Sequence, residues 1–269
     1  MIREEVLKGI FQPRTTPWRT AITKVESNKL ITKGYPQEEL IGNISYPEMV
    51  HLLVKGVLPT KNQEKTLQAI LVSFCDHGIT PPSTQSARLM ASAGSSVNAC
   101  LAGGILAFGK NHAGAIEIAM RMLQEGIKFS KTRNVSLEET AQKLVKYFSD
   151  KRKKIPGFGH RYHKEDPRAP RLIQLAKEYD CFGEHSELVI HIQEILNDKK
   201  GIKINIDGTN AALLSDMGFN WRVGCGLFIV GRLPGLLAHI QEEMIQEEPF
   251  RKVLDVDEIT PRNGMVNSF

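Results

Sequence analysis

Apolar residues recur along most of the chain at the i, i+3, i+4, i+7 spacing that lines one face of a helix. Leu67, Ile70, Leu71 and Phe74 form one such stripe, Ala141, Leu144, Val145 and Phe148 a second, and Leu188, Val189, Ile192, Ile195 and Leu196 another. The starts are marked as well. Ser45-Tyr46-Pro47-Glu48 and Thr60-Lys61-Asn62-Gln63 have the spacing of capping boxes, in which a hydroxyl accepts an orphan backbone N–H and the residue three positions on returns to the cap N–H. Ser136-Leu137-Glu138-Glu139 opens a further helix. Gly56 and Gly78 are placed to end two helices in the left-handed conformation.

Two short stretches read as extended: Ala21 to Val25, turning at Ser27-Asn28 into Lys29 to Thr32, and the alternating Ile202-Lys203-Ile204-Asn205-Ile206. Neither is long enough to organise a sheet protein, so the predicted fold class is all-α with one short N-terminal hairpin. Residues 91–109 are rich in Ala, Gly and Ser, which lets helices approach closely. That suits either a buried helix within one subunit or a symmetric dimer interface.

With 269 residues, 41% of them hydrophobic and 24% charged, the chain can bury a sizeable core in one large domain or two moderate ones. This composition excludes a disordered, collagen-like or disulfide-stapled protein. The formal charge of +5 suits an anionic small molecule as well as a nucleic acid. The only basic run, Lys151 to Lys154, lacks aromatic interleaving and a recognisable reading helix, which argues against nucleic acid. Cys75, Cys100, Cys181 and Cys225 have no C-x-x-C spacing and sit in or beside apolar segments, as free thiols in a reducing compartment do. The N-terminus lacks a basic stretch followed by an apolar one, and no uncharged apolar run reaches the roughly 18–20 residues of a membrane span. A soluble cytoplasmic protein is the expectation.

Three segments combine glycines with ionisable side chains: Lys110 to Ala115, Pro156 to Arg161, and Asn205-Ile206-Asp207-Gly208. Singly, each reads as a turn glycine beside a satisfied His or a helix-capping Asp. Together, two His and one carboxylate suit proton transfer. His160, Arg161, His163, Lys164 and Arg168 put many donors into a stretch that Pro156 and Pro167 keep from being one helix, and a planar guanidinium there suits a bidentate grip on a carboxylate. His160 with His163 lacks a nearby third ligand, so no metal is expected.

Pro156-Gly157-Phe158-Gly159-His160-Arg161 through Asp166-Pro167-Arg168-Ala169 resembles the active-site segment of the citrate synthase superfamily, which includes citryl-CoA lyase and the C-terminal part of ATP-citrate lyase. Other segments agree in order: Lys33-Gly34-Tyr35-Pro36-Gln37-Glu38-Glu39-Leu40, Leu53 to Thr60, Cys75-Asp76-His77-Gly78, Ala93-Gly94-Ser95, the His112 and Asp207 segments, and Gly231 to His239. The resemblance covers essentially the whole chain. It implies a large helical domain from residues 1–114 and 213–269, a smaller inserted helical domain of residues 115–212, a cleft between them, and a homodimer.

The resemblance also implies roles. His112 would stabilise the enol of an acetyl thioester, Asp207 would move the proton at its methyl carbon, and His160 would contact the oxygen that is ketone in oxaloacetate and hydroxyl in citryl-CoA. His77, Arg168 and Arg232 would hold the dicarboxylate. Arg251 would correspond to the arginine that family dimers lend to the neighbouring site. Coenzyme A carries phosphates, for which Lys154, Arg161 and Lys164 are the candidate partners. The run containing Lys154 also reads as a solvated helix end. Coenzyme A thioester enters as substrate or product, with no permanently bound cofactor.

Several departures from the synthase pattern favour citryl-CoA lyase. The chain is much shorter than synthases at its N-terminal side, Ala115 stands where many synthases have Asn, Gly78 where they usually have Glu, and the interval from His160 to Arg168 is one residue shorter. The expected reaction is cleavage of citryl-CoA to acetyl-CoA and oxaloacetate. The alternative is a citrate or 2-methylcitrate synthase that condenses an acyl-CoA with oxaloacetate. A non-enzymatic acyl-CoA or dicarboxylate sensor would predict damage to the catalytic trio, and His112, His160 and Asp207 are all present.

Overall fold

The computed structural model describes residues 18–159 and 166–260. The chain divides into two compact units, one ending at Pro59 and one beginning at Thr60. In the first, β1 (Thr23–Glu26) and β2 (Lys29–Thr32) form an antiparallel hairpin with Thr23 opposite Thr32 and Glu26 opposite Lys29. Asn28 takes the left-handed turn position at φ +58°. A two-residue strand, β3 (Tyr35–Pro36), pairs with β2 and leads into α1 (Gln37–Leu40). Ser45 then caps α2 (Tyr46–Lys55) in a complete capping box with Glu48, and Gly56 ends it at φ +85°, both as the sequence predicts.

The second unit is helical. Its elements are α3 (Lys61–Phe74), α4 (Pro82–Ser92), α5 (Val97–Leu106), α6 (Gly114–Arg133), α7 (Leu137–Asp150), α8 (Arg168–Glu178), α9 (Glu184–Lys200), α10 (Ile206–Asp216) and α11 (Gly224–Gln246). Thr60 and Ser136 cap α3 and α7 from the expected positions. The predicted stripes face inward: Leu67, Ile70, Phe74, Ala141, Leu188 and Ile192 are fully buried. Helix α10 lies in the middle of this unit, with every residue from Gly208 to Ser215 buried. A helix enclosed all round has no need of a polar face, which is why Ala211, Ala212, Leu213 and Leu214 stand in one run.

Helix α11 is long and apolar enough, by length and composition, to cross a membrane. Here it packs against α3, α4, α5 and α6, with Arg232 buried at mid-length. Gly231 and Gly235 allow the closest of these approaches, because a Cβ on Gly235 would run into the Cys75 carbonyl oxygen and one on Gly231 would meet Phe74. In the small-residue region Gly103 lies on Met90 and Gly104 on Ala87 and the Ser83 carbonyl, so α4 and α5 use it to pack within the chain.

Two local expectations change. The alternating stretch at Ile202 makes only one bridge, between Ile204 and Phe158, and by Ile206 it has entered α10. Helix α3 stops at Phe74, four residues before Gly78, although Gly78 does adopt a left-handed φ of +68°. Beyond Phe74 the Asp76 side chain takes the Gly78 N–H, and side chains from α8 and α11 occupy the last carbonyls of α3.

Candidate active site

Those side chains are arginines. Arg168, the first residue of α8, donates from Nη1 to the Ser73 carbonyl at 3.3 Å, and Arg232 of α11 donates from Nε to the Phe74 carbonyl at 2.5 Å. The end of a helix presents carbonyls without intrahelical partners and a partial negative charge, so both guanidinium groups are anchored where cations are favoured. Arg168 is further fixed by Asp166, which accepts from its Nε at 2.9 Å and its Nη2 at 2.8 Å. Burial alone would raise the Asp166 pKa, but the Arg168 guanidinium and the Arg168 and Ile206 backbone N–H groups hold it below the ordinary carboxylate range. Arg232 is differently placed. It is 3% exposed, burial presses its pKa downward, and its Nη1 has no hydrogen-bond partner. A buried guanidinium nitrogen without a partner is costly unless an anion completes it.

Asp207 stands in the first turn of α10. Asn205 caps that helix, its Oδ1 accepting from the Asp207 and Gly208 N–H groups at 3.0 and 3.1 Å. The Asn205 Nδ2 donates to the Gly159 carbonyl at 2.6 Å, tying the helix start to the segment that leads to His160. Gly157 and Gly208 lie backbone to backbone, and a Cβ on either would collide with the other. The glycines around Asp207 therefore set a close approach of two backbones. Asp207 opens on a cleft but is otherwise enclosed by protein. That burial, reinforced by nearby Asp166 and opposed by Arg168 and Arg232, pushes its pKa up to about 6.

His112 is held by a tight turn. Gly109 and His112 exchange backbone hydrogen bonds at 2.9 and 3.0 Å, Ala113 adopts a left-handed φ of +62°, and α6 begins at once. The ring stacks on Phe108 with centroids 4.7 Å apart, and its Nε2 lies 2.8 Å from the Oγ of Ser83, a fully buried residue of α4. A non-glycine residue in the left-handed region stores strain that a functional turn often carries.

One cleft of about 280 Å³ collects these groups: His77, Lys110, His112, Arg168, Asp207 and Arg232 all line it. Five residues singled out in the sequence are thus brought together from α8, α10, α11, the loop after α3 and the turn before α6. Lys154 does not line this cleft and is exposed beyond α7. Arg251 is engaged elsewhere, donating to Glu243 at 2.6 and 3.0 Å and pairing with Glu247 at 2.8 Å. His160, Arg161 and Lys164 fall outside the described residues. The structure adds three residues to which the sequence assigned no role: Ser83 behind His112, Asp166 behind Arg168 and Asn205 beneath Asp207. Asp166 and Asn205 had a legible signal, an Asp or Asn two residues before the group it orients.

Residues 61–253 match the family model described as Citrate synthase, C-terminal domain. The chain belongs to the citrate synthase family. The citrate synthase of Heyndrickxia coagulans is 29% identical over 216 residues, 78% of this chain and 55% of the relative. The chain therefore spans a little over half the length of that curated relative. Among solved structures, citryl-CoA lyase from Hydrogenobacter thermophilus is 41% identical, with a TM-score of 0.85, covering 94% of this chain and 96% of that one. ATP citrate lyase of Methanosaeta concilii, a D541A mutant in complex with (3S)-citryl-CoA, shares the fold at 20% identity and a TM-score of 0.80, over 100% of this chain and 45% of that one. His112, Asp207, Arg168 and Arg232, which the motif resemblance assigned to one site, all line this cleft.

Proposed function

We propose that this protein is a citryl-CoA lyase, cleaving citryl-CoA to acetyl-CoA and oxaloacetate with the thioester intact. The observation that carries the reading is the cleft itself. An enclosed carboxyl of raised pKa and a positioned imidazole share it with two guanidinium groups, one with an unsatisfied buried nitrogen. In the cleavage direction His160 takes the proton of the C3 hydroxyl as the bond between C2 and C3 breaks. The bonding pair moves into the enolate of acetyl-CoA, whose thioester oxygen faces His112, and Asp207 delivers a proton to the methylene carbon. Arg168, Arg232 and His77 hold the two carboxylates that leave as oxaloacetate. A carboxyl pushed up to about 6 is well matched to donating that proton near neutral pH.

Likeness to citryl-CoA lyase over nearly the full length of both chains favours this direction. Likeness to citrate synthases over about half of their length favours the second reading, condensation of acetyl-CoA or a longer acyl-CoA with oxaloacetate. The same three side chains serve both directions, so hydrolysis of the thioester distinguishes them. The proposal includes closure of residues 115–212 over the rest, a cytoplasmic homodimer, and CoA phosphates contacted by Lys154, Arg161 and Lys164. The test supplies purified protein with citryl-CoA and quantifies acetyl-CoA, oxaloacetate and free CoA separately. Acetyl-CoA and oxaloacetate in equal amounts, with little free CoA, are expected. Free CoA with citrate, matched by citrate formation from acetyl-CoA and oxaloacetate, would establish the synthase instead.

A further inference from the structure

The face of α11 that carries Gly231, Arg232 and Gly235 continues through His239, Glu242 and Glu243, each a further turn along. Gly235 lies against the Cys75 carbonyl, so His239, one turn on, comes to the loop Cys75-Asp76-His77-Gly78. There its Nε2 is 3.0 Å from Asp76 Oδ1, while Asp76 Oδ2 accepts the Gly78 N–H at 2.9 Å. On the other side, His239 Nδ1 lies 3.3 Å from Nη1 of Arg88. An ionised carboxylate can only accept, so Nε2 carries a proton directed at Asp76, while Nδ1 lies between Arg88 and the Glu242 Oε2, 3.7 Å away. Arg88 is itself immobilised, for it is buried and bonded to Glu243 at 2.6 Å and to Glu242.

We propose that His239 and Asp76 are positioning residues for dicarboxylate binding: Arg88 and Glu242 hold the His239 ring, His239 clamps Asp76, and Asp76 sets the backbone that presents His77 to the cleft. This rests on the reading of the cleft as the oxaloacetate end of the site, with His77 among its ligands. Neither His239 nor Asp76 is among the residues lining the cleft; His239 acts through the loop, and Asp76 acts through the loop and through its charge on Arg232. The geometry also explains why an N–H donor is needed at position 239. Truncation frees Asp76 from α11, whereas a longer amide still carries a donor. At Asp76 the corresponding change is Asp to Asn, which keeps the side chain's shape but leaves one acceptor oxygen for two donors, the His239 Nε2–H and the Gly78 N–H.

The test measures oxaloacetate binding by calorimetry and citryl-CoA cleavage kinetics for the wild type, H239A, H239Q and D76N. We expect H239A and D76N each to weaken oxaloacetate binding about tenfold, the effect of losing one charge-assisted hydrogen bond. KM for citryl-CoA should rise in step while kcat stays within about twofold, since ground-state and transition-state binding are lost together. H239Q should recover most of the loss, and D76N/H239A should be no worse than either single variant, because the two residues act as one unit. If H239A does not fold, D76N alone carries the comparison. Unaltered oxaloacetate binding in D76N, equal damage in H239Q and H239A, or additive losses would overturn the proposal. A wild type that binds oxaloacetate but whose variants behave in that way sinks this inference alone. A wild type that neither binds oxaloacetate nor turns over citryl-CoA sinks the functional reading, and this inference with it.

Discussion

Two clusters of charge lie on the same helix, α11, and differ in how they are satisfied. Toward its C-terminal end, Arg88 and Arg251 share Glu243, whose side chain is fully buried, with Glu242 and Glu247 completing the shell. The two arginines there find carboxylates within the chain, and they hold the Glu243 carboxyl below its ordinary pKa against the opposing effect of burial. Three turns earlier, Arg232 reaches a backbone carbonyl and keeps Nη1 without a partner, while Asp207 across the cleft has its pKa pushed up to about 6. A network that satisfies itself is scaffold, since it has nothing left to give a ligand. A cluster left short of counter-charge is a binding site, because an incoming dianion supplies what the fold withholds. The contrast marks which arginines serve stability and which serve substrate.

Removing the proton carrier has the largest expected effect. Asp207→Asn keeps the shape but cannot exchange the proton, and should lower kcat at least about a thousandfold for citryl-CoA cleavage while circular dichroism is unchanged. Normal turnover in that variant would take Asp207 out of the mechanism. Next, Arg232→Met and Arg88→Met should separate the two clusters. The first should weaken dicarboxylate binding about a hundredfold with little loss of melting temperature. The second leaves the Glu243 carboxylate buried with one fewer cation and should destabilise the fold by about 3 kcal/mol in denaturant titration. Equal effects of the two on stability would dissolve the distinction.

Gly208→Ala introduces a Cβ into the Gly157 carbonyl. Overpacking against backbone costs about 1–3 kcal/mol, and because the displaced turn carries Asp207, activity should fall more than tenfold at temperatures where the variant is still folded. A further test concerns pH and stability. Asp207 has a folded-state pKa of about 6 against 3.8 for an ordinary aspartate, so burial penalises its ionised form. Its contribution is therefore fully present below pH 4 and is lost as pH rises through about 6. Asp207→Asn escapes that loss. It should match the wild type in stability near pH 4 and exceed it by roughly 2–3 kcal/mol at pH 8, read from unfolding curves at both values. A constant difference across that range would mean that the carboxyl is not held protonated by the fold.

Much of this protein was legible before its structure. Helix periodicity and capping chemistry are local, so Ser45, Thr60 and Ser136 could be placed as caps, and Asn28 and Gly56 as turn and stop, from neighbours a few residues away. The motif strings likewise marked His77, His112, Arg168, Asp207 and Arg232 as a set. What no local rule supplied was satisfaction. That the Arg232 Nη1 lacks a partner while Arg88 finds Glu243, that arginines take the last carbonyls of α3, and that Gly157 and Gly208 touch all depend on contacts between residues some fifty to more than 150 positions apart. Sequence spacing determines which face a side chain occupies. Only the packing of helices decides whether a charge on that face meets its counter-charge in the protein or is left to meet it in a ligand.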